Sequence, residues 1–234
     1  MKLEDMDIVY VVKDSAYNEE LRYSLRSVEK NFPHNRVWIV GGKPIGVHPD
    51  KQFPIVQEGR TKWDKVRGLW GIICENKDIT DKFVIFNDDF FVLEPVADLP
   101  AYSDGSLESL ANRVIKKNGD KPTFYTNRIM RCAKILKDAG LTTHSFEMHM
   151  PMVIDKELML KTREKFPGAP ASRSLYGNYN HLKPSKMADG KIVTLRGLPK
   201  KGQVFLSTED MSFNDGQVGK YIRDMFPDKS RWEK

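Results

Sequence analysis

The chain has 234 residues, with 38 Lys+Arg against 32 Asp+Glu for a formal net charge of +6, five His and two Cys. This length can bury a sizeable core without a disulfide framework, and Cys74 and Cys132 stand far apart, in no CxxC or zinc pattern. A mean hydropathy of −0.52, with no apolar run near the ~20 residues a spanning helix needs, excludes a membrane bundle. The N-terminus reads Met-Lys-Leu-Glu-Asp-Met-Asp, acidic where a signal peptide is basic and then apolar, so free thiols and a cytoplasmic location are expected. The basic excess admits an anionic partner without requiring one.

In chain order, Asp7–Asp14 is a β-branched apolar run that reads as a buried parallel strand. Leu21, Leu25, Val28 and Phe32 recur at helical spacing, predicting a helix from about Asn18 to Asn31 that Pro33 ends. Arg36–Val40 is a second strand, stopped by Gly41-Gly42. After a Pro- and Gly-marked loop, Trp63, Val66, Trp70, Ile73 and Cys74 stripe a second helix. Phe83–Phe86 is a third strand, running into Asn87-Asp88-Asp89-Phe90-Phe91. Strand, helix, strand, helix, strand predicts an α/β fold with a Rossmann-type, mostly parallel sheet covered by helices on both faces. Residues 1–100 would form a nucleotide-binding half and 101–234 an acceptor half of one domain. Neither Gly-x-Gly-x-x-Gly nor a Walker Gly-Lys-Ser/Thr loop is present, which argues against a dinucleotide cofactor or P-loop. In the second half, Arg128–Ala139 and Lys156–Phe166 read as helices. Residues 167–203, rich in Gly, Pro, Ser, Asn and Lys, read as long loops, and Gln203–Leu206 as a strand leading into Ser207-Thr-Glu-Asp210.

The strongest chemical signal is Asn87-Asp88-Asp89 at the carboxyl end of a buried strand, where ligands bind in open α/β sheets. Period-two alternation sends Asn87 and Asp89 to one face and Asp88 to the other. Oxygen donors of this kind suit a hard divalent cation shared with substrate phosphates; a turn capped by Asp88 or Asp89 is the competing reading.

Glu20-Leu-Arg-Tyr-Ser-Leu-Arg-Ser27, Arg36-Val-Trp-Ile-Val-Gly-Gly42 and Phe86-Asn-Asp-Asp-Phe-Phe-Val-Leu-Glu-Pro95 together resemble the Stealth family of sugar-phosphate transferases. They are also similar to small bacterial and phage glycosyltransferases of the GT-A fold. The resemblance spans residues 7–96, with weaker patches at 144–151 and 205–213. It departs from Stealth at Tyr10-Val-Val-Lys-Asp14, where that family carries a Thr-Trp-Val-Asp-Gly run. It implies a GT-A-like domain using a nucleotide-diphosphate sugar and Mn²⁺ or Mg²⁺ to glycosylate a hydroxyl. Asp89, with Asn87, would bind the metal, and Asp88 would face sugar hydroxyls or a basic partner. Sugar-1-phosphate transfer is the alternative reaction.

Asp14, at the end of the first strand, is either a contact to the nucleotide or an N-cap. Arg22 and Arg26 are i,i+4 neighbours off the apolar stripe. Arg22 is the candidate for donor binding, while Arg26 reads as a partner of Glu19 or Glu29. Lys62 and Lys65 open the second helix, near an anion-friendly N-terminus, and Arg67 either snorkels or forks onto a diphosphate. His144-x-x-Glu147-x-His149 matches no zinc signature. By the resemblance, His149 could complete the metal site, contact phosphate or act as base, with Glu147 a weaker base. Ser207 and Asp210 read as a capping box, or Glu209 or Asp210 as a second catalytic carboxylate. Trp38, Trp63, Trp70, Phe90 and Phe91 read as core, and Tyr176, in a Gly-bearing loop, as an exposed stacking platform. Lys183, Lys186, Lys191, Arg196, Lys200 and Lys201 either track phosphates or form a solvated, partly mobile surface; a hydroxylated base in phage DNA and a surface glycan are the acceptors weighed. The non-enzymatic alternative is a nucleotide- or nucleic-acid-binding module.

Overall fold

A computed structural model describes residues 1–55 and 62–234, with side chains described outside 56–67. The chain forms two compact units. One comprises Met1–Leu99, His149–Ile154 and Gly190–Lys234, and the other Pro100–Met148 and Asp155–Asp189.

The first unit is built on a mostly parallel sheet, as the apolar runs predict. Its strands are β1 (Asp7–Val12), β2 (Val37–Gly41), β3 (Lys51–Pro54), β4 (Lys82–Asn87) and β7 (Met152–Asp155), in the order β3-β2-β1-β4-β7. Strands β1 to β4 pair in parallel, with Tyr10 opposite Ile39 on one side and Phe86 on the other. Ile8, Val9, Tyr10, Val12, Ile39, Val40, Val84 and Phe86 are fully buried, as strands covered on both faces require. Helix α1 (Glu19–Asn31) follows β1 and α2 (Lys62–Glu75) precedes β4. The apolar side of α1 buries Leu21, Leu25 and Val28 completely.

Where β1 and β2 end, Gly42 is a requirement of close approach. A Cβ there would lie 2.3 Å from the Lys13 carbonyl oxygen and 2.9 Å from the Asp14 Cα. No sequence pattern predicts the edge strand β3; its Lys-Gln-Phe-Pro sequence lies exposed or half-buried and carries no apolar alternation.

A second, antiparallel ladder joins β5 (Phe90–Val92) to β9 (Phe205–Ser207). Helices α7 (Asp210–Asn214) and α8 (Gln217–Met225) close over it. Phe91, Leu206, Phe213, Val218, Ile222 and Phe226 form their shared core, with Phe91 and Phe213 stacked at 5.8 Å.

The second unit is mainly helical: α3 (Leu107–Lys117), α4 (Phe124–Asp138), α5 (Lys156–Lys165) and α6 (Ser172–Tyr179), with a short parallel pair of β6 (Tyr102–Ser103) and β8 (Ser185–Lys186). Leu107, Ala111, Ile129, Cys132, Ala133, Leu136 and Leu175 form its core. The expected long loop over 167–203 is therefore interrupted by a helix. Gly177 does not mark a loop: a Cβ there would sit 2.4 Å from Phe146 Cδ2, so the glycine admits the Phe146 ring against α6. Tyr176 is accordingly buried, 2% exposed, and its hydroxyl accepts from the Asp155 amide at 3.0 Å. This corrects its reading as a stacking platform.

Candidate functional site

Strand order reverses between β1 and β4, which makes the carboxyl ends of these two strands the switch point where open α/β sheets bind ligands. The residues that follow the two strands meet there. Asn18 caps α1, its Oδ1 accepting from the Leu21 amide at 2.9 Å, while its Nδ2 donates to Asp88 Oδ2 at 2.6 Å. One side chain thus starts the helix after β1 and holds the acidic turn after β4.

Helix α1 fixes that turn further through a polar face that sequence reasoning missed. Glu20, Ser24, Ser27 and Asn31 fall at i, i+4, i+7 and i+11, one side of a helix. The Ser24 hydroxyl donates to the Phe90 carbonyl, Ser27 Oγ accepts from the Val92 amide at 3.0 Å, and Asn31 Nδ2 donates to the Val92 carbonyl at 2.8 Å. These side chains bond β5 along the side turned away from β9, so the strand just beyond Asp88-Asp89 is held in place from both sides.

At the first position of the same face, Glu20 Oε1 accepts from Thr208 Oγ1 at 2.6 Å. Burial pushes the Glu20 carboxyl up to about 7; the Thr208 bond opposes the shift, and the charges of Asp89, Asp88 and Asp210 add to it. Asp88, Asp89 and Asp210, from two further chain segments, therefore lie within electrostatic range of Glu20. Such a perturbed acid at a strand-end site is a candidate for proton transfer. Glu20 opens the Glu20–Ser27 block that carries the resemblance, and the polar i,i+4,i+7,i+11 spacing was the available signal.

Asp89 is held from β9. Its Oδ2 accepts from Ser207 Oγ at 2.8 Å, and Lys191 Nζ stands 3.8 Å from it and 3.8 Å from Glu209 Oε1. The expected Ser207–Asp210 capping box is corrected: β9 runs through Ser207, and Glu209 caps α7, its amide donating to Ser212 Oγ at 2.9 Å. Asp210 is left exposed in the first turn of α7, within electrostatic range of Glu20. Asn87, the last residue of β4, is exposed, and Asp88 and Asp89 are half-buried.

The remaining candidates are distributed as follows. Asp14 is exposed two residues beyond β1; Asn18 caps α1, so Asp14 does not. Arg22 is engaged outside the carboxylate group, donating from Nη2 to the Ile45 carbonyl at 2.7 Å and lying 3.7 Å from Glu233. Arg26 pairs with Glu233 rather than Glu19 or Glu29, through two bonds of 2.8 Å. Burial works against the Glu233 charge, but Arg26 and the Ser230 amide outweigh it and hold this carboxyl below its ordinary range. His149 lies half-buried just ahead of β7, in the same unit as the carboxylates. Glu147 belongs to the other unit and caps α6 from outside, its Oε1 accepting from the Ser174 amide and hydroxyl at 2.9 Å each. These bonds supply the cap for which Ala171, the residue in the capping position, has no polar side chain to offer. Lys62, Lys65 and Arg67 lie outside the residues whose side chains are described.

Among the described residues, no group of three or more His, Cys, Asp or Glu is arranged to hold an ion by itself. Asn87, Asp88 and Asp89 nevertheless supply oxygen donors, the type a hard cation prefers, and a cation shared with phosphates needs only one or two protein carboxylates. The match to such an ion is one of donor type alone. Among the described residues, no helix is long and apolar enough to cross a membrane.

No family model matches the chain, and no curated protein matches it. Among solved structures, it is similar to the apo-form glycosyltransferase GlyE of Streptococcus pneumoniae TIGR4, with a TM-score of 0.35 and 10% identity over 74% of this chain and 42% of that one. The chain thus spans less than half the length of that structure.

Proposed function

We propose that the protein is a glycosyltransferase that moves a sugar from a nucleotide-diphosphate sugar to a hydroxyl acceptor, with a divalent cation bound by Asp89 and Asn87. One observation carries this reading: Glu20 and the Asp88-Asp89 turn converge at the β1/β4 switch point. The blocks Glu20–Ser27 and Phe86–Pro95, which carry the likeness to sugar-nucleotide enzymes, bond one another there through Ser24, Ser27 and Phe90–Val92.

In this reading Asp89, steadied by Ser207, and Asn87 hold the cation, which when bound supplies neutralisation of the leaving diphosphate. Asp88, fixed by Asn18, orients the donor sugar. The acceptor oxygen attacks the anomeric carbon and loses its proton to a carboxylate. The anomeric C–O bond breaks, and its electron pair leaves with the nucleoside diphosphate. Glu20 is the proposed proton acceptor, because its carboxyl titrates near neutral pH, where a general base works best. Asp210, exposed and within electrostatic range of Glu20, is the second candidate carboxylate, and His149 is a further contact for phosphate.

The test is nucleotide release from a panel of nucleotide-diphosphate sugars with Mn²⁺ and simple hydroxyl acceptors. Transfer from one donor that falls at least ~100-fold in Glu20→Gln, with nucleotide affinity kept, supports the assignment. Undiminished transfer by Glu20→Gln removes Glu20 from the chemistry, and no release from any donor contradicts the reaction.

A further inference from the structure

Between Gly190 and Thr208 the sequence holds four cations, Lys191, Arg196, Lys200 and Lys201, and no acidic residue. The same stretch presents two leucines to solvent, Leu195 at 45% and Leu198 at 53% exposure. Single exposed apolar residues need no explanation; a cluster set among like charges does.

The stretch is built to hold these side chains outward. The Leu195 carbonyl accepts from the Gln217 amide at 2.8 Å, tying the tip of the loop to the start of α8, and the Gly197 amide donates to the Thr194 carbonyl at 3.2 Å, closing a turn. At the base, the Ile192 amide donates to the Ser207 carbonyl at 2.8 Å and the Ser212 hydroxyl to the Ile192 carbonyl at 2.7 Å. Those bonds bring the loop alongside α7 and α8, which add exposed Met211 (52%) and Tyr221 (37%). Tyr221 lies one helical turn beyond Gln217, on the same side of α8, next to Lys220. Two leucines, a methionine and a tyrosine are thus exposed on these bonded elements, together with Arg196, Lys200, Lys201 and Lys220, while the exposed acids Glu209, Asp210 and Asp215 lie on the Met211 side and leave the leucine loop itself purely cationic.

We infer that this surface docks on an anionic lipid bilayer. Cations next to a negatively charged leaflet, with aliphatic side chains able to enter the headgroup boundary, are the combination that holds peripheral proteins there. Exposed leucines distinguish the surface from a nucleic-acid track, which interleaves its cations with aromatic or polar groups. The loop's base is bonded to Ser207, whose hydroxyl holds Asp89, so docking sets the carboxylate site beside the membrane. If the transferase reading holds, the acceptor hydroxyl is one presented at a bilayer surface.

The experiment is co-sedimentation of the full chain with vesicles of phosphatidylcholine alone or mixed with phosphatidylserine, which needs no enzymatic activity. Partitioning is expected only with phosphatidylserine present, weakening with salt. Each basic residue near such a surface contributes about fivefold, so Arg196→Gln/Lys200→Gln/Lys201→Gln should lose on the order of 100-fold. Leu195→Ser/Leu198→Ser should lose about tenfold or more, since burial of apolar area is removed, while keeping the wild-type salt dependence. All five positions are solvent-facing, so thermal melts of both variants should match wild type. No partitioning, or a leucine variant that partitions like wild type, overturns the inference. If binding follows the cations alone and duplex DNA displaces the vesicles, the partner is nucleic acid instead.

Discussion

Thr208 Oγ1 donates to Glu20 Oε1 at 2.6 Å across 188 residues of sequence. This bond ties the first turn of α1 to the end of β9. It also orients a carboxyl that burial and three neighbouring aspartates keep protonated to about pH 7.

The proton has a stability consequence. The folded state binds it up to about pH 7, whereas the ordinary value is 4.5, so between these values the folded state holds more protons than the unfolded one. Stability therefore falls as pH rises through that window and stays lowered above it. Glu20→Gln keeps an acceptor for Thr208 and has no charge to bury. Its stability should equal that of wild type near pH 4 and exceed it by about 1–3 kcal/mol at pH 8. Thermal denaturation across pH checks this, and a constant offset at all pH values would contradict it.

Ser27 is fully buried, and its hydroxyl oxygen accepts from the Val92 amide. Ser27→Ala takes that acceptor away and should cost about 1–3 kcal/mol in denaturant unfolding. A loss below about 0.5 kcal/mol would mean that α1 does not hold β5 in this way.

Gly177→Ala drives a methyl group into the Phe146 ring, backed by the buried Ser174, Leu175 and Asn178 of α6. Overpacking of this kind costs about 1–3 kcal/mol. Pairing the change with Phe146→Leu, which makes room, should recover part of it. Equal losses in the single and double variants would show that the contact does not set the packing.

The frame of the first unit was legible in the sequence because β1, β2 and β4 are continuous apolar runs and α1 carries a clean Leu21/Leu25/Val28 stripe. The acidic turn was likewise legible as a strand end. Hidden from view were residues whose partners are remote in sequence. Glu20 sits on a face of α1 with no apolar period, and only its closeness to Thr208, Asp88 and Asp89 shows that this polar face is turned inward. Ser207-Thr-Glu-Asp210 fits a capping box in spacing, yet β9 pairs through Ser207 and moves the cap two residues on, freeing the hydroxyl for Asp89. Tyr176 was misplaced because a glycine beside it reads as loop, although here the missing Cβ serves packing. Glu147 lies in a stretch rich in ionisable residues, and its role as a cap for α6, 27 residues away, leaves no local pattern.

Binding of a nucleotide by the Asp88-Asp89 turn through a divalent cation is what the proposed transfer depends on most. Calorimetric titration of a nucleoside-diphosphate panel, with Mn²⁺ and with EDTA, on wild type and Asp89→Ala measures it directly. The expected result is tight binding of one nucleotide that is lost with EDTA and weakened at least ~100-fold in Asp89→Ala, with a cooperative melting transition showing that the variant is folded. Binding to no nucleotide, or binding indifferent to both cation and Asp89, would contradict it.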